Sequence, residues 1–275
     1  MERAYYYLIA SLPELRLDDY KEPYRVHDFV DDLEGNLSPG HMRSVRDLLA
    51  LQDGMYMVDA LLGLEQPWHL RPANYTFADL RHWLQDISGS LPEPMTALAE
   101  RLREFKRGQE TFIRRELEAV VLDWYYCRLM RHENRFISKY VTFEYALRSA
   151  VARAQATVFS SARGADLVPP EDVPRPQPTV RTPYDWSCGD DEALISAAVQ
   201  DMLSTSDLVH AEKQLDTRRW QKVDEIISFN YFDIDVLLGY LTKLTLVERW
   251  IRLDPARGRE VFTRRTQVSS PELSP

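Results

Sequence analysis

Between Leu215 and Phe262, apolar positions recur every three or four residues on both sides of a short aromatic hinge. In the first half, Trp220, Val223 and Ile227 fall on one helical face, and Asp216 stands where an N-cap acceptor would. The hinge is Ser228-Phe229-Asn230-Tyr231-Phe232, with three aromatics and one turn-tolerant Asn. In the second half Leu237, Tyr240, Leu244, Val247 and Ile251 form one stripe. Leu238 and Leu241 widen it, and Lys243, Arg249 and Arg252 lie off it. Asp254-Pro255 ends the segment, because Pro has no amide to donate and restrains the residue before it. The pattern predicts two helices joined by the hinge.

The same period runs through most of the chain. Tyr5 to Leu12 reads as a buried N-terminal turn of helix, since a lone short strand would lack a pairing partner. Val26 to Leu33 predicts a short helix with Val26, Phe29, Val30 and Leu33 inward, ended by Gly35-Asn36. Ser38-Pro39 is a cap followed by Pro at the first helical position. The helix it opens runs to about Leu62, with apolar residues spread too broadly for a surface helix, which suggests a central one. Glu65 to Tyr75 is a loop. Thr76-x-x-Asp79 starts a helix to about Ile87, and Pro92 and Pro94 open another through Leu98, Leu102 and Phe105. No internal repeat is visible.

Between Gly108 and Gly164 there is neither Gly nor Pro. As one helix, the stretch from Gln109 to Arg163 would extend about 80 Å at 1.5 Å per residue. That exceeds a compact domain, so a break is expected, and Tyr140-Val141-Thr142, where β-branched residues cluster, is the place this reading selects. Residues 166–183 hold six prolines and no helical period, which reads as a linker. Asp190-Asp191-Glu192 places negative charge at the start of a further helix through Leu203. The expected organisation is all-α and bundle-like: a helical part over 1–165, the linker 166–183, a second helical part over 184–266 and a disordered tail over 267–275.

Composition narrows the partners. Hydrophobic residues make up 44% of the 275, enough to fill a core. No apolar run approaches the roughly 20 residues of a membrane span, and the start lacks the pattern of a signal peptide. Two cysteines make neither a disulfide framework nor a zinc cluster, so a cytoplasmic location is expected. The net charge of −9 argues against general nucleic-acid binding. The acidic excess lies in the first hundred residues and the last third, while residues 101–160 are net basic.

Motifs for chemistry are missing. No Gly-rich phosphate loop, no H-E-x-x-H, no G-x-S-x-G elbow and no Glu-x-x-His pair occurs. His132-Glu133 point about 100° apart on a helix and do not converge on one ion; the pair reads as an exposed polar turn. Cys127 lies in an apolar run and reads as a buried thiol, and acidic neighbours disfavour a thiolate at Cys188. The reading is therefore a non-enzyme with no catalytic residue, no cofactor and no metal. The aromatics Trp220, Phe229, Tyr231, Phe232, Tyr240 and Trp250 crowd one region and read first as core. Trp, Tyr and Arg are also enriched at interface hot spots, which makes Arg218, Arg219, Trp220, Arg249, Trp250 and Arg252 candidate partner-binding anchors. Asn134, Arg135, Lys139 and Arg148 form a second, mostly solvated candidate face.

Phe232 to Trp250 (FDIDVLLGYLTKLTLVERW) and Leu253 to Gly258 (LDPARG) resemble the C-terminal part of the d-like, central-stalk socket group of V-type ATPases, together with a bacterial family that accompanies those enzymes. Tyr5 to Pro13 is similar to the start of that bacterial family, and His132 to Ala154 to its middle. The resemblance implies a helical, non-catalytic protein associated with an ATPase that transports protons or sodium ions. Members of the socket group sit between the membrane rotor ring and the central shaft. The ring and shaft are the implied partners, at the inner face of the cell membrane. This chain is shorter than a typical three-unit socket protein, so an accessory protein of the same complex is the companion reading. A free-standing helical adaptor and a helical-bundle enzyme with a dispersed site are the alternatives outside that group.

Overall fold

Helical period becomes helix almost wherever it occurs. The computed structural model describes residues 5–18, 24–67, 71–85, 93–107, 113–162, 189–205 and 207–252. Among these the chain forms ten α-helices and no strand. They are α1 (Tyr6–Ala10), α2 (Val26–Leu33), α3 (Pro39–Leu61), α4 (Phe77–Gln85), α5 (Met95–Arg107), α6 (Arg114–Leu129), α7 (Arg135–Ala162), α8 (Gly189–Ser204), α9 (Leu208–Ile227) and α10 (Ile234–Ile251). The fold is all-α, as the pattern predicts. The Pro-rich stretch 166–183, Cys188, Asp254-Pro255 and the tail 267–275 lie outside the described residues.

Local chemistry sets several ends. Ser38 Oγ accepts the His41 amide at 3.2 Å, with Pro39 at the first position of α3. Thr76 Oγ1 accepts the Asp79 amide at 3.1 Å and donates to the Asp79 carboxylate at 2.6 Å at the start of α4. Gly35 and Gly63 take φ of 78° and 75° where the chain leaves α2 and α3, a conformation that side chains with a Cβ rarely adopt.

Three expectations are corrected. Asp216 is not an N-cap. Helix α9 begins earlier, at Leu208, where Asp207 accepts the amides of Val209 and His210 at 2.9 and 3.3 Å. Its buried face already includes Ala211 and Leu215, so the apolar period starts upstream of Asp216. Second, the Gly- and Pro-free stretch breaks between α6 and α7, not at Tyr140-Val141-Thr142, which lie inside α7. Asn134 Oδ1 accepts the Ile137 amide at 2.9 Å, and the Asn134 amide donates to His132 Nδ1 at 2.9 Å. Short polar side chains that capture nearby amides compete with the helical ladder. Tyr140 and Val141 are core residues, and their burial outweighs the small propensity cost of β-branching. Third, α1 is not a buried turn: none of its residues is fully inside, and Tyr6 and Tyr7 are 56% and 93% exposed, while Tyr5 just before it is buried.

One large core unites Val26, Phe29 and Leu33 of α2 with residues of α3, α5 and α6, Phe136 and Ile137 of α7, Val223 of α9 and Leu237 and Leu241 of α10. Helices on both sides of residues 163–188 thus share it. A smaller cluster of Phe143, Leu147, Ala198 and Leu215 joins α7, α8 and α9. At Gly54 in α3 the helices approach closely: a Cβ there would sit 2.5 Å from Val121 Cγ1 and 3.1 Å from Leu98 Cδ2. Val121 is short, branched and fully buried, so it has little room to turn away. Gly54→Ala is expected to cost about 1–3 kcal/mol in urea unfolding. Adding Val121→Ala should recover part of that loss; a neutral Gly54→Ala would mean the crossing is looser than described.

Candidate interaction surface

Three of the six anchors that the sequence selects, Arg219, Arg249 and Trp250, are drawn into intrachain contacts around one carboxylate. Asp216 has no exposed surface. Its Oδ1 accepts from Arg219 Nη1 at 2.8 Å, and its Oδ2 accepts from Trp250 Nε1 and Arg249 Nη2, each at 2.7 Å. Arg249 reaches Glu212 as well, at 3.1 Å. Arg219 also spans to α7, donating Nε to Glu144 at 2.8 Å, and Glu144 takes a second guanidinium from Arg148 at 2.6 Å. Burial works against the charge of Glu144, but Arg219 and then Arg148 outweigh it and hold its pKa at about 2. The result is a charge-balanced lattice joining α7, α9 and α10.

The other anchors are similarly placed. Arg218 pairs with Asp201 of α8 at 2.8 Å. Trp220 is half-buried, with Lys243 Nζ 4.5 Å from its ring centre, and Lys243 in turn reaches Asp224 at 2.5 Å. Arg252 pairs with the buried Glu248, whose other oxygen accepts the Val26 amide at 3.1 Å and so closes the start of α2. Charge reversal at Arg249 would set a third carboxylate against Glu212 and Asp216, so such a variant would report stability as well as docking. Of the second face, Arg135 and Lys139 are exposed, while Asn134 is spent on capping α7 and on Asp235 at 2.6 Å.

His132 differs from its expected role. It does lie in a turn, but its Nε2 is 3.2 Å from Asp47, which Arg128 also approaches at 2.5 Å. Asp47 is buried, so the turn is fastened to α3. Glu133 stays exposed. The Cys127 thiol is half-buried, and burial followed by Asp123 pushes its pKa up, away from nucleophilic character. Among the described residues no three His, Cys, Asp or Glu side chains are grouped to hold a metal ion.

Exposed apolar surface is concentrated elsewhere, in aromatics. The α9–α10 turn exposes Phe229 by 88%, Tyr231 by 70% and Phe232 by 41%. Helix α1 is tied to this turn: the Tyr5 amide donates to the Phe232 carbonyl at 2.7 Å, and the Tyr6 and Phe232 rings lie 4.4 Å apart. Tyr5 itself is fixed by its hydroxyl, 2.6 Å from His41 Nδ1 at the start of α3. A second, aliphatic group, Leu203, Leu208 and Val209, is exposed at the α8–α9 turn. The sequence marked the hinge aromatics, but a helical period says nothing of which way a turn residue faces. Tyr6 and Tyr7, placed inside by the same logic, belong to this surface. Exposed aromatic clusters on an otherwise well-packed protein mark contact sites.

Fold and surface together define an all-helical protein in which arginines hold helices together and one group of aromatics faces outward. No helix of the described residues is long and apolar enough to cross a membrane. The chain belongs to the family described as "Protein of unknown function (DUF2764)", which matches it over residues 1–267. None of the curated proteins compared with it matches.

Proposed function

We propose that this chain is a non-catalytic component or accessory protein of a bacterial V-type ATPase, akin to the d-like socket, that works by contact between the rotor ring and the central shaft. The observation that carries a contact role is the outward aromatic group of Tyr6, Tyr7, Phe229, Tyr231 and Phe232. The resemblance of Phe232–Trp250 and His132–Ala154 to the ATPase-associated families supplies the partner. Those segments fall in α10 and in α7 with the turn before it. A part that transmits force needs stiffness, and here long helices of 23 and 28 residues are cross-braced by buried ion pairs.

The test is affinity purification of the tagged chain from its native host. The expected result is recovery of the ring and shaft proteins with it. An assembled ATPase that holds its other stalk components but not this chain would overturn the reading. Tyr7→Ser and Phe229→Ser should leave urea stability within about 0.5 kcal/mol and yet abolish recovery. The exposed aromatics also suit a free-standing adaptor, which predicts that these variants lose a protein unconnected to the ATPase.

A further inference from the structure

Beside the aromatic group the surface dips and turns acidic. Helices α1 and α2 leave an open hollow of about 170 Å³, lined on one part by Leu8, Leu12, Phe29 and Leu33 and on the other by the polar groups of Ser11, Tyr24, Asp32 and Asn36. An enclosed apolar cavity of about 150 Å³ takes a benzene ring; by volume this open hollow admits one large side chain, its apolar part lying against Leu8, Leu12, Phe29 and Leu33. Tyr7 stands one helical turn before Ser11, and the neighbouring Tyr6 adjoins Phe232. The hollow and the aromatics therefore form one strip from the α9–α10 turn across α1 to α2.

The outer face of α2 carries Asp28, Asp31 and Asp32, all exposed and spaced to share one side. Tyr24 donates its hydroxyl to Asp32, and His27 lies 3.0 Å from Asp31. No Lys or Arg among the described residues pairs with any of the three. Neighbouring acids are matched: Glu34 by Arg46 at 2.9 Å, Glu14 by Arg16 at 3.3 Å, and Asp18 by Lys213. A strip of exposed aromatics with a row of carboxylates beside it that pair with no Lys or Arg of the described residues defines the chemistry of what would cover it.

We infer that this strip receives a basic amphipathic helix of a partner protein, with one apolar side chain seated in the hollow, others against Tyr6, Tyr7 and Phe232, and Lys or Arg residues opposite Asp28, Asp31 and Asp32. A helix laid in a groove presents apolar anchors and flanking charges at this spacing. A second copy paired strip to strip would bring like charges together. An anionic bilayer surface or a nucleic acid would be repelled by the same row. The inference names the partner chemistry for the contact role proposed above and rests on that role, but not on the partner's belonging to an ATPase.

Two measurements test it. In the first, the full chain is titrated with a designed helical peptide of Leu and Lys and with its Glu-for-Lys counterpart, read by fluorescence anisotropy. Only the basic peptide should bind. Asp28→Asn/Asp31→Asn/Asp32→Asn, and separately Tyr7→Ser, should each weaken it by about tenfold. Glu100→Gln/Glu104→Gln/Glu133→Gln removes the same charge from exposed sites elsewhere and should change nothing. Equal loss in that control, or equal binding of the acidic peptide, would overturn the inference. In the second, a photo-crosslinking phenylalanine derivative replaces Tyr7 in the native host, and the captured peptide is sequenced. A Lys/Arg-rich amphipathic segment is expected; lipid, nucleic acid or a second copy of this chain would overturn it. A basic amphipathic segment from a protein outside the ATPase would keep this inference and remove the ATPase reading. An ATPase segment without basic residues would do the reverse.

Discussion

Asp216→Ala is expected to destabilise the protein by about 3–5 kcal/mol, the cost of removing one partner from a buried charge cluster. Asp216 has no exposed surface, and it takes hydrogen bonds from Arg219, Trp250 and Arg249 at 2.8, 2.7 and 2.7 Å. Without it the Trp250 indole loses its acceptor, and two guanidinium groups that are mostly out of water face a void. Arg219 keeps Glu144 and Arg249 keeps Glu212, which holds the loss within this range rather than above it. For a chain of this size the shift in Tm is roughly 10 °C. Asp216→Asn preserves shape and one acceptor, and should fall between the wild type and Asp216→Ala. Urea and thermal unfolding measure both. A loss under about 1 kcal/mol for Asp216→Ala would mean that α7, α9 and α10 are held by apolar packing alone.

Asp216 also marks the boundary of what the sequence can say. The stripes of α2, α3 and α10 are readable because a helix buries residues three and four apart, and both the apolar side chains and their spacing are local. The caps at Ser38 and Thr76 are readable for the same reason. The partners of charged residues are not local. Arg219 finds Glu144 seventy-five positions away and Arg249 finds Glu212 thirty-seven away, so the chain shows exposed-looking cations where the fold has an internal lattice. The break before α7 is half-legible: Asn134 is a turn-tolerant residue, but its fastening to Asp235 and that of His132 to Asp47 depend on tertiary placement. The aromatics show the same limit. Tyr240 and Phe232 are eight residues apart and both aromatic, yet one packs against Phe29 at 5.0 Å while the other faces outward.

The pH dependence of stability follows from two carboxylates, one fully buried and one mostly so, that act in opposite directions. Asp53, fully buried in α3, accepts the Asn74 and Tyr75 amides at 2.9 and 3.1 Å and the Asn74 side chain at 2.6 Å. Burial nevertheless outweighs these donors and lifts its pKa from 3.8 to about 6. Its neutral form is favoured on folding, so its stabilisation is complete below the unfolded value and disappears as pH rises through the folded one. The span is worth ~3 kcal/mol. Glu144 is depressed from 4.5 to about 2, because Arg219 and Arg148 outweigh the cost of burying it. Its stabilisation is complete above the unfolded value and is lost as pH falls through the folded one, again worth ~3 kcal/mol. The unfolding free energy should therefore rise as pH drops from neutrality to about 5, and fall steeply below about 4. Asp53→Asn should flatten the upper limb and leave the acid limb; Glu144→Gln should flatten the acid limb and leave the upper one. If Asp53→Asn keeps the wild-type slope between neutrality and about pH 5, the ionised carboxylate is fully accommodated by its three donors, and the loop through Asn74 and Tyr75 is anchored by charge rather than despite it.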